Sequence, residues 1–282
     1  MSKIWLITGC STGFGRELAK LLLEQGHKVG VASRKTEDIQ DIVDSNPENS
    51  CALKLDITRH DEVAASVKTL KKKFGRIDVL VNNAGIGYFA ALEEGEDQEI
   101  HRLFDINFFG LADITREVLP MMREQHSGNI VNIASIGGFV GNPGVGYYNA
   151  TKFAVVGYSE ALQKEVSPLG IHVTVVAPSG FRTDWAGRSA NEAKHIIEDY
   201  KDTARKNIQT IRDLSGKQPG DPERAAKAIL KAVESGTPPL YLLLGEAALR
   251  GGQNKIAELQ KTFDAWKETT VEADFPKEVA HQ

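Results

Sequence analysis

A single α/β domain, built on a doubly wound parallel sheet of about seven strands with helices on both faces, is predicted by two features of the sequence. Short apolar runs recur at residues 4–7, 29–32, 52–55, 79–81, 130–133, 173–177 and 240–244, and segments of helical character separate them. Strands buried on both faces read as continuous apolar runs, and their alternation with helices marks parallel βαβ units. Length agrees, since 282 residues suit one large domain with ample apolar residues for its core.

The first run passes directly into a glycine turn and is short for the apolar region of a signal peptide, so it is expected to be the first buried strand. In the crossover that follows, Leu18, Leu21, Leu22 and Leu23 supply an apolar stripe, and Gly26 suits a left-handed helix stop. Glycines crowd the loop 136–146, and loops beyond strand carboxyl ends are where open α/β sheets bind ligands. The pattern weakens from residue 178 to 222. Within it, residues 184–217 read equally as a mobile substrate lid or as an ordinary surface excursion. Residues 1–250 thus form the main domain, and 251–282 a helical extension. In that extension Ile256, Leu259, Phe263 and Trp266 fall at steps of three, four and three, a stripe expected to pack on the domain or on a subunit.

The net charge is −4, and no basic block could follow a phosphate backbone or an anionic membrane. Nucleic acid and membrane are therefore not expected as partners, and no apolar stretch reaches the roughly 20 residues of a bilayer span. Cys10 and Cys51, the only cysteines, imply reduced thiols and a cytoplasmic setting. Cys10 is expected to be a packed loop residue. The seven histidines, among them His60, His126, His172 and His195, are dispersed, so no metal site is expected. Asn149-Ala150-Thr151 matches the N-glycosylation pattern by accident of composition.

Four motifs carry chemistry. Thr8-Gly9-Cys10-Ser11-Thr12-Gly13-Phe14-Gly15 follows a strand and opens a helix, where glycines let the backbone approach a pyrophosphate at the helix N-terminus. Asn82-Asn83-Ala84-Gly85 follows a later strand, Ser135 another, and Tyr148 is four residues before Lys152. Residues four apart share a helix face, so phenol and ammonium can enter one pocket. Each motif alone is as readily a set of turn glycines or a helical pair; their order along one chain is what points to hydride transfer. Nicotinamide supplies a hydride but not the proton a carbonyl oxygen needs, and a phenol can supply it. Lowering a Tyr pKa of ~10 by about three units needs roughly 4 kcal/mol. A Lys⁺ about 4.5 Å away at an effective dielectric near 20 gives a Coulomb attraction of about that size. Lys152 is thus expected to depress Tyr148. Tyr147, whose +4 neighbour is Thr151, is expected only to line the pocket.

From about residue 3 to 245 the chain resembles the short-chain dehydrogenase/reductase family, whose Rossmann-type domain carries these motifs. The resemblance implies a catalytic set of Asn107, Ser135, Tyr148 and Lys152. Ser135 would polarise the carbonyl, Tyr148 would act as acid or base, and Asn107 would support a water that relays protons to Lys152. It implies cofactor contacts from Gly9, Ser11, Gly13, Phe14, Gly15, Asn83, Ala84 and Gly85, and from Tyr148 and Lys152, with Lys152 on the nicotinamide ribose. Asp56 would accept from adenine, while Phe181 and Thr183 would hold the carboxamide. Ser179 replaces the family's usual glycine, and mild strain is expected there if the site demands positive φ. The resemblance further implies a homodimer or homotetramer, with Phe153, Val156, Ala161 and Leu162 at the contact.

Cofactor choice rests on the end of the second run. An acid there would accept from a ribose 2′-hydroxyl and favour NAD, whereas the chain has Ser33 and Arg34. Arg can fork onto a phosphate, so NADP(H) is expected to be preferred, with NAD(H) possible. The function expected is reduction of a ketone or aldehyde, or the reverse oxidation of an alcohol. The alternatives are a nucleotide-sensing Rossmann protein without turnover, and an epimerase or dehydratase on the same fold. Tyr88, Phe89, Phe139, Val140, Val145, Tyr147 and Trp185 suggest an apolar, partly aromatic substrate pocket, and each reads alternatively as ordinary packing.

Overall fold

The computed structural model describes residues 2–275. Along the chain run β1 (Ile4–Ile7), α1 (Gly13–Glu24), β2 (Lys28–Ser33), α2 (Gln40–Ser45), β3 (Ser50–Lys54), α3 (His60–Phe74) and β4 (Val79–Asn82). Then come β5 (Gly87–Phe89), α4 (Asp97–Phe104), α5 (Gly110–Gln125), β6 (Gly128–Ile133), α6 (Gly146–Val166) and β7 (Ile171–Pro178). Last are β8 (Ala190–Glu192), α7 (Lys206–Asp213), α8 (Pro222–Glu234), β9 (Tyr241–Leu244), α9 (Glu246–Ala265) and α10 (Lys267–Glu272).

All seven apolar runs are strands of one sheet, in the order β3-β2-β1-β4-β6-β7-β9, with every neighbouring pair parallel. The period of two splits β1 between two cores. Trp5 and Ile7 join Leu18 and Leu22 of α1 and Ala226 and Ile229 of α8 on one face. Ile4 and Leu6 join Val67 and Leu70 of α3, Val118 of α5 and Leu162 of α6 on the other. Each such side chain, taken out of water, stabilises the fold by about 1.5–3 kcal/mol. Gly26 has φ +78° and ends α1 as its position predicts.

Two features escaped the pattern. β5 and β8 pair in a small second parallel sheet, Gly87 against Ala190 and Phe89 against Glu192, which ties the 184–217 segment to the body. α4 continues into α5 through a π turn over Asp105–Phe109 that carries Asn107. Arg205 reinforces the tie, pairing with the buried Glu94 and with Glu192.

The extension's apolar stripe stands clear of the domain, one of the two supports expected for it, which leaves a subunit as the other. The Ile256, Leu259, Phe263 and Trp266 stripe of α9 and its C-cap does not pack on the domain, each residue being 39–70% exposed. Residues 276–282 of that extension lie outside the described residues. On α6, Phe153 and Ala161 face outward, but Val156 and Leu162 are buried in the domain's own cores, because the helix lays that face on the sheet.

Candidate active site

A cleft of about 1290 Å³ opens at the carboxyl ends of the strands. It is lined by Arg34 and Asp56 after β2 and β3, and by Ser135 and Thr183 after β6 and β7, so it crosses the point where strand order reverses. Gly9, Ser11, Gly13 and Phe14 line it between β1 and α1. Gly9 has φ +70°, and a Cβ there would stand 2.9 Å from the Ala84 Cα. Thr12 caps α1 without a side-chain hydrogen bond, and the first turn holds no acid. The first amides of α1 are thus left without side-chain partners at the mouth of a glycine loop, an arrangement that suits an anion.

The Asn82–Gly85 segment is a brace. Asn83 Nδ2 donates to the carbonyls of Thr8 (2.8 Å) and Gly9 (2.9 Å), while Thr8 Oγ1 accepts from the amides of Asn83 and Ala84, both at 3.0 Å. Asn83, Ala84 and Gly85 also line the cleft. Gly15 does not. A Cβ at Gly15 would lie 2.5 Å from Asn83 Nδ2 and 2.6 Å from the Gly9 carbonyl, so its role is to let α1 close on the brace. Across the cleft, a Cβ on Gly13 would stand 3.3 Å from Thr183 Cγ2. Phe14 and Phe181 meet edge to face at 5.0 Å, which brings the loops after β1 and β7 together.

Ser135 and Tyr148 converge over Gly137, whose missing Cβ would be 3.3 Å from Ser135 Oγ and 3.7 Å from the Tyr148 ring. Ser135 Oγ accepts from the Gly137 amide at 3.0 Å, which fixes its rotamer. Asn149, buried inside the Tyr-x-x-x-Lys step, holds the same loop. Its Nδ2 donates to the Gly137 carbonyl (3.0 Å) and its Oδ1 accepts from the Asn142 amide (2.8 Å), which removes it from any glycosylation role in the folded chain. Asn107 lies behind the cleft wall, buried, with its amide on both backbone groups of Ile86 and on Thr151 Oγ1. A Cβ on Gly85 would lie 3.3 Å from Asn107 Oδ1 and 3.7 Å from Lys152 Nζ, so these two side chains are neighbours.

The electrostatics reverse one expectation. Lys152 Nζ is 5.7 Å from the Tyr148 ring centroid and donates to the Ile133 carbonyl at 2.8 Å. Burial pushes the Tyr148 phenol up to about 12, with the Ser135 hydroxyl opposing, and pushes the Lys152 ammonium down to about 8. Both charged forms lose water in the same buried pocket, and that desolvation sets the direction of each shift. The phenol holds its proton at neutral pH, and the ammonium is poised nearer to losing its own.

Arg34 is exposed at the cleft edge and, among the described residues, makes no ion pair. Asp56 folds an Asx turn, its Oδ1 accepting from the Thr58 amide (3.0 Å) and hydroxyl (2.7 Å), and so combines a local role with a place on the cleft. Ser179 needs no strain, since His126 is the only non-glycine at positive φ among the described residues; its hydroxyl donates to the Leu244 carbonyl. Cys10 is buried, its thiol pushed up to about 12, as befits a packed residue.

Of the aromatic and aliphatic pocket candidates, Val145 and Trp185 line the cleft. Tyr88 and Phe89 are instead core residues of β5. Phe139 packs on Tyr241 at 5.4 Å, Val140 lies off the cleft, and Tyr147 donates to the Leu92 carbonyl at 2.6 Å. Ile211 and Leu214, from the weakly patterned segment, line the cleft in their place. Gln218, also missed, lines it with a buried Oε1 that has no partner among the described residues. Ile211 and Leu214 follow the spacing of any surface helix, and Gln218 lies in the irregular chain after α7, so no signal was left to find them by. No group of three or more His, Cys, Asp or Glu side chains among the described residues could hold a metal, and no helix there is long and apolar enough to cross a membrane.

Known proteins resemble this chain in sequence and in fold. The family described as short chain dehydrogenase matches residues 3–195. A 3-ketodihydrosphingosine reductase of Bacteroides thetaiotaomicron is 39% identical over 244 residues, covering 86% of this chain and 88% of its own. A short-chain dehydrogenase of Streptomyces avermitilis superposes with a TM-score of 0.92 at 36% identity, covering 98% of this chain and 100% of its own. One from Burkholderia phymatum, solved in complex with NAD, has a TM-score of 0.81 at 25% identity and covers 92% of this chain and 95% of its own.

Proposed function

The chain belongs to the short-chain dehydrogenase family, and from that premise we propose that it reduces a ketone or aldehyde to an alcohol, and runs the reverse oxidation, with NADP(H) preferred over NAD(H). The observation that carries the reading is the buried Tyr148 phenol, which holds its proton on the cleft beside Ser135, with Lys152 behind it. A glycine cradle at a helix N-terminus, with cleft walls reaching from Arg34 to Thr183, fits a dinucleotide.

When bound, the nicotinamide supplies or accepts the hydride. The Gly9–Gly13 loop and the amides of α1 would hold the pyrophosphate, Arg34 would meet a 2′-phosphate, Asp56 would accept from the adenine, and Phe181 and Thr183 would hold the carboxamide end. Lys152 would hold the nicotinamide ribose. In reduction the Ser135 hydroxyl donates to the carbonyl oxygen and fixes it against Tyr148, whose O–H gives it the proton. Lys152, with an ammonium brought down to about 8, returns a proton toward the phenolate at little cost near neutral pH. Asn107 keeps Ile86 and Thr151 in register beside Lys152 and supports the water through which that proton arrives.

The substrate is apolar on the side of Val145, Trp185, Ile211 and Leu214, and the 3-keto reductase name of the Bacteroides relative accords with a ketone. Phe109 and Phe153, exposed on neighbouring helices, give a second copy an apolar face, and a homodimer or homotetramer in the cytoplasm completes the proposal.

The test is steady NADPH oxidation with a panel of activated ketones, repeated with NADH. Tyr148→Phe is expected to lower kcat by at least about a thousandfold while cofactor Kd stays within a factor of about three. A variant that keeps most of the wild-type kcat overturns the assignment.

A further inference from the structure

One side chain fastens the loop that closes the cleft. Arg212 of α7 donates through Nη1 to the carbonyls of Ala186 (3.0 Å) and Gly187 (2.8 Å), and through Nη2 to that of Ala190 (3.1 Å). Its guanidinium lies 4.4 Å from the Phe89 ring centroid. The same ring meets Trp185 edge to face at 5.5 Å, and Trp185 meets Tyr148 at 4.7 Å with the planes 51° apart. Guanidinium, phenyl, indole and phenol thus form one continuous chain of contacts from α7 to the proton donor. Gly87 makes room for it. A Cβ there would stand 2.7 Å from Ala190 Cβ and 3.2 Å from the indole. Three carbonyls converging on a planar fork suit Arg, and the single ammonium of a Lys cannot serve the same set.

We propose that Trp185, held in place by Arg212, is the specificity-determining residue of the cleft. Trp185 lines the cleft and leans on the phenol ring, so a substrate carbonyl reaching the Tyr148 hydroxyl brings one of its substituents against the indole. An unbranched or flat apolar group lies along that surface and exchanges water for indole contact. A group branched at the carbon next to the carbonyl meets the indole before its oxygen reaches the phenol. The substrate class is therefore an unbranched or planar apolar ketone or aldehyde. Arg212 is a positioning residue that acts only through Trp185. This inference rests on Tyr148 as the acid of the proposed reduction.

The test compares two isomers, dipropyl ketone and diisopropyl ketone, which differ only in branching beside the carbonyl. Wild type is expected to favour the unbranched isomer in kcat/KM. Trp185→Ala is expected to shift the ratio at least about tenfold toward the branched isomer, a shift of the size that one or two methyl groups command in an apolar pocket. Trp185→Phe is expected to fall between. Arg212→Ala is expected to move the ratio in the same direction, and Arg212→Lys not to restore it.

A second measurement reads the structure without turnover. Acrylamide quenching of the Trp185 fluorescence, obtained by subtracting the Trp185→Phe signal in each background, is expected to rise severalfold in Arg212→Ala. Activity with an unchanged isomer ratio in Trp185→Ala overturns this inference and leaves the proposed function standing. Quenching unchanged in Arg212→Ala removes Arg212 from it. If no form of the protein consumes NADPH or NADH with any ketone or aldehyde, the proposed function fails and the specificity role of Trp185 falls with it.

Discussion

Asn83 and Gly15 share one small space: the amide of Asn83 that holds the Thr8 and Gly9 carbonyls occupies the position where a Cβ on residue 15 would stand. The cofactor loop, the first helix and the fourth strand are locked together there, and the lock needs a residue without a side chain.

Gly15→Ala is therefore expected to destabilise the protein by about 1–3 kcal/mol through overpacking and to weaken cofactor binding more than substrate binding. Thermal unfolding and cofactor titration check it. Helix propensity alone favours Ala over Gly by about 1 kcal/mol, so a stabilised variant with unchanged cofactor Kd contradicts the packing argument.

In the proposed reduction, Lys152 and Tyr148 are expected to set the pH dependence. With the ammonium down at about 8 and the phenol up at about 12, reduction has its proton source intact at neutral pH. As pH rises through about 8, Lys152 loses its charge first, and kcat/KM for reduction is expected to fall toward tenfold per pH unit while Tyr148 is still protonated. Lys152→Arg, which keeps its charge, is expected to lower activity overall and to remove that limb. A profile flat between about pH 6 and pH 10 in the wild type contradicts the assignment.

The sheet and the glycine cradle were legible because both are local patterns. Seven apolar runs became the seven strands of the main sheet, and Gly9 and Gly13 line the cleft where the turn places them. What depends on distant partners was not legible. β5 and β8 are three-residue strands about a hundred residues apart, too short to show an alternation, so Tyr88 and Phe89 read as pocket side chains and are core. The direction of the Tyr148 shift follows from burial, which spacing on a helix does not report. Arg212 binds three backbone carbonyls, and carbonyls leave no trace in the identity of residues 186, 187 and 190.

Glu94 and Arg205 pin the 184–217 segment, and their removal has a defined cost. Glu94 is buried and accepts from the amides of Ala91 and Ile197 as well as from Arg205. Burial lifts its carboxyl, but these hydrogen bonds and the Arg205 charge prevail and hold it below the usual carboxylate range. A group depressed in the folded state stabilises above its ordinary pKa, and that contribution is lost as pH falls through the folded value. Glu94→Ala leaves the part-buried Arg205 with Glu192 as its one carboxylate and strips the Ala91 and Ile197 amides of their acceptor, and is expected to cost about 1–3 kcal/mol, with a shallower loss of stability in acid than the wild type shows. Urea unfolding at neutral and acid pH checks both; a cost under about 1 kcal/mol would class the pair with exposed surface bridges.

The proposed preference for NADP(H) rests on Arg34. It stands at the end of β2 on the cleft edge, exposed and with no ion pair among the described residues, and its neighbour Ser33 is buried and uncharged. A 2′-phosphate placed there meets a guanidinium free to fork onto it and no carboxylate from Ser33 or Arg34 to repel it. Arg34→Asp removes one charge-assisted bond, worth roughly 1.5–3 kcal/mol, and adds a repulsion, so NADPH binding is expected to weaken about ten- to a hundredfold or more. NADH, which has no 2′-phosphate, is expected to change little. The measurement is kcat/KM for both cofactors in wild type and variant. An unchanged NADPH-to-NADH ratio, or a wild type that already prefers NADH, removes Arg34 from cofactor choice and leaves Tyr148, Ser135 and Lys152 in their roles.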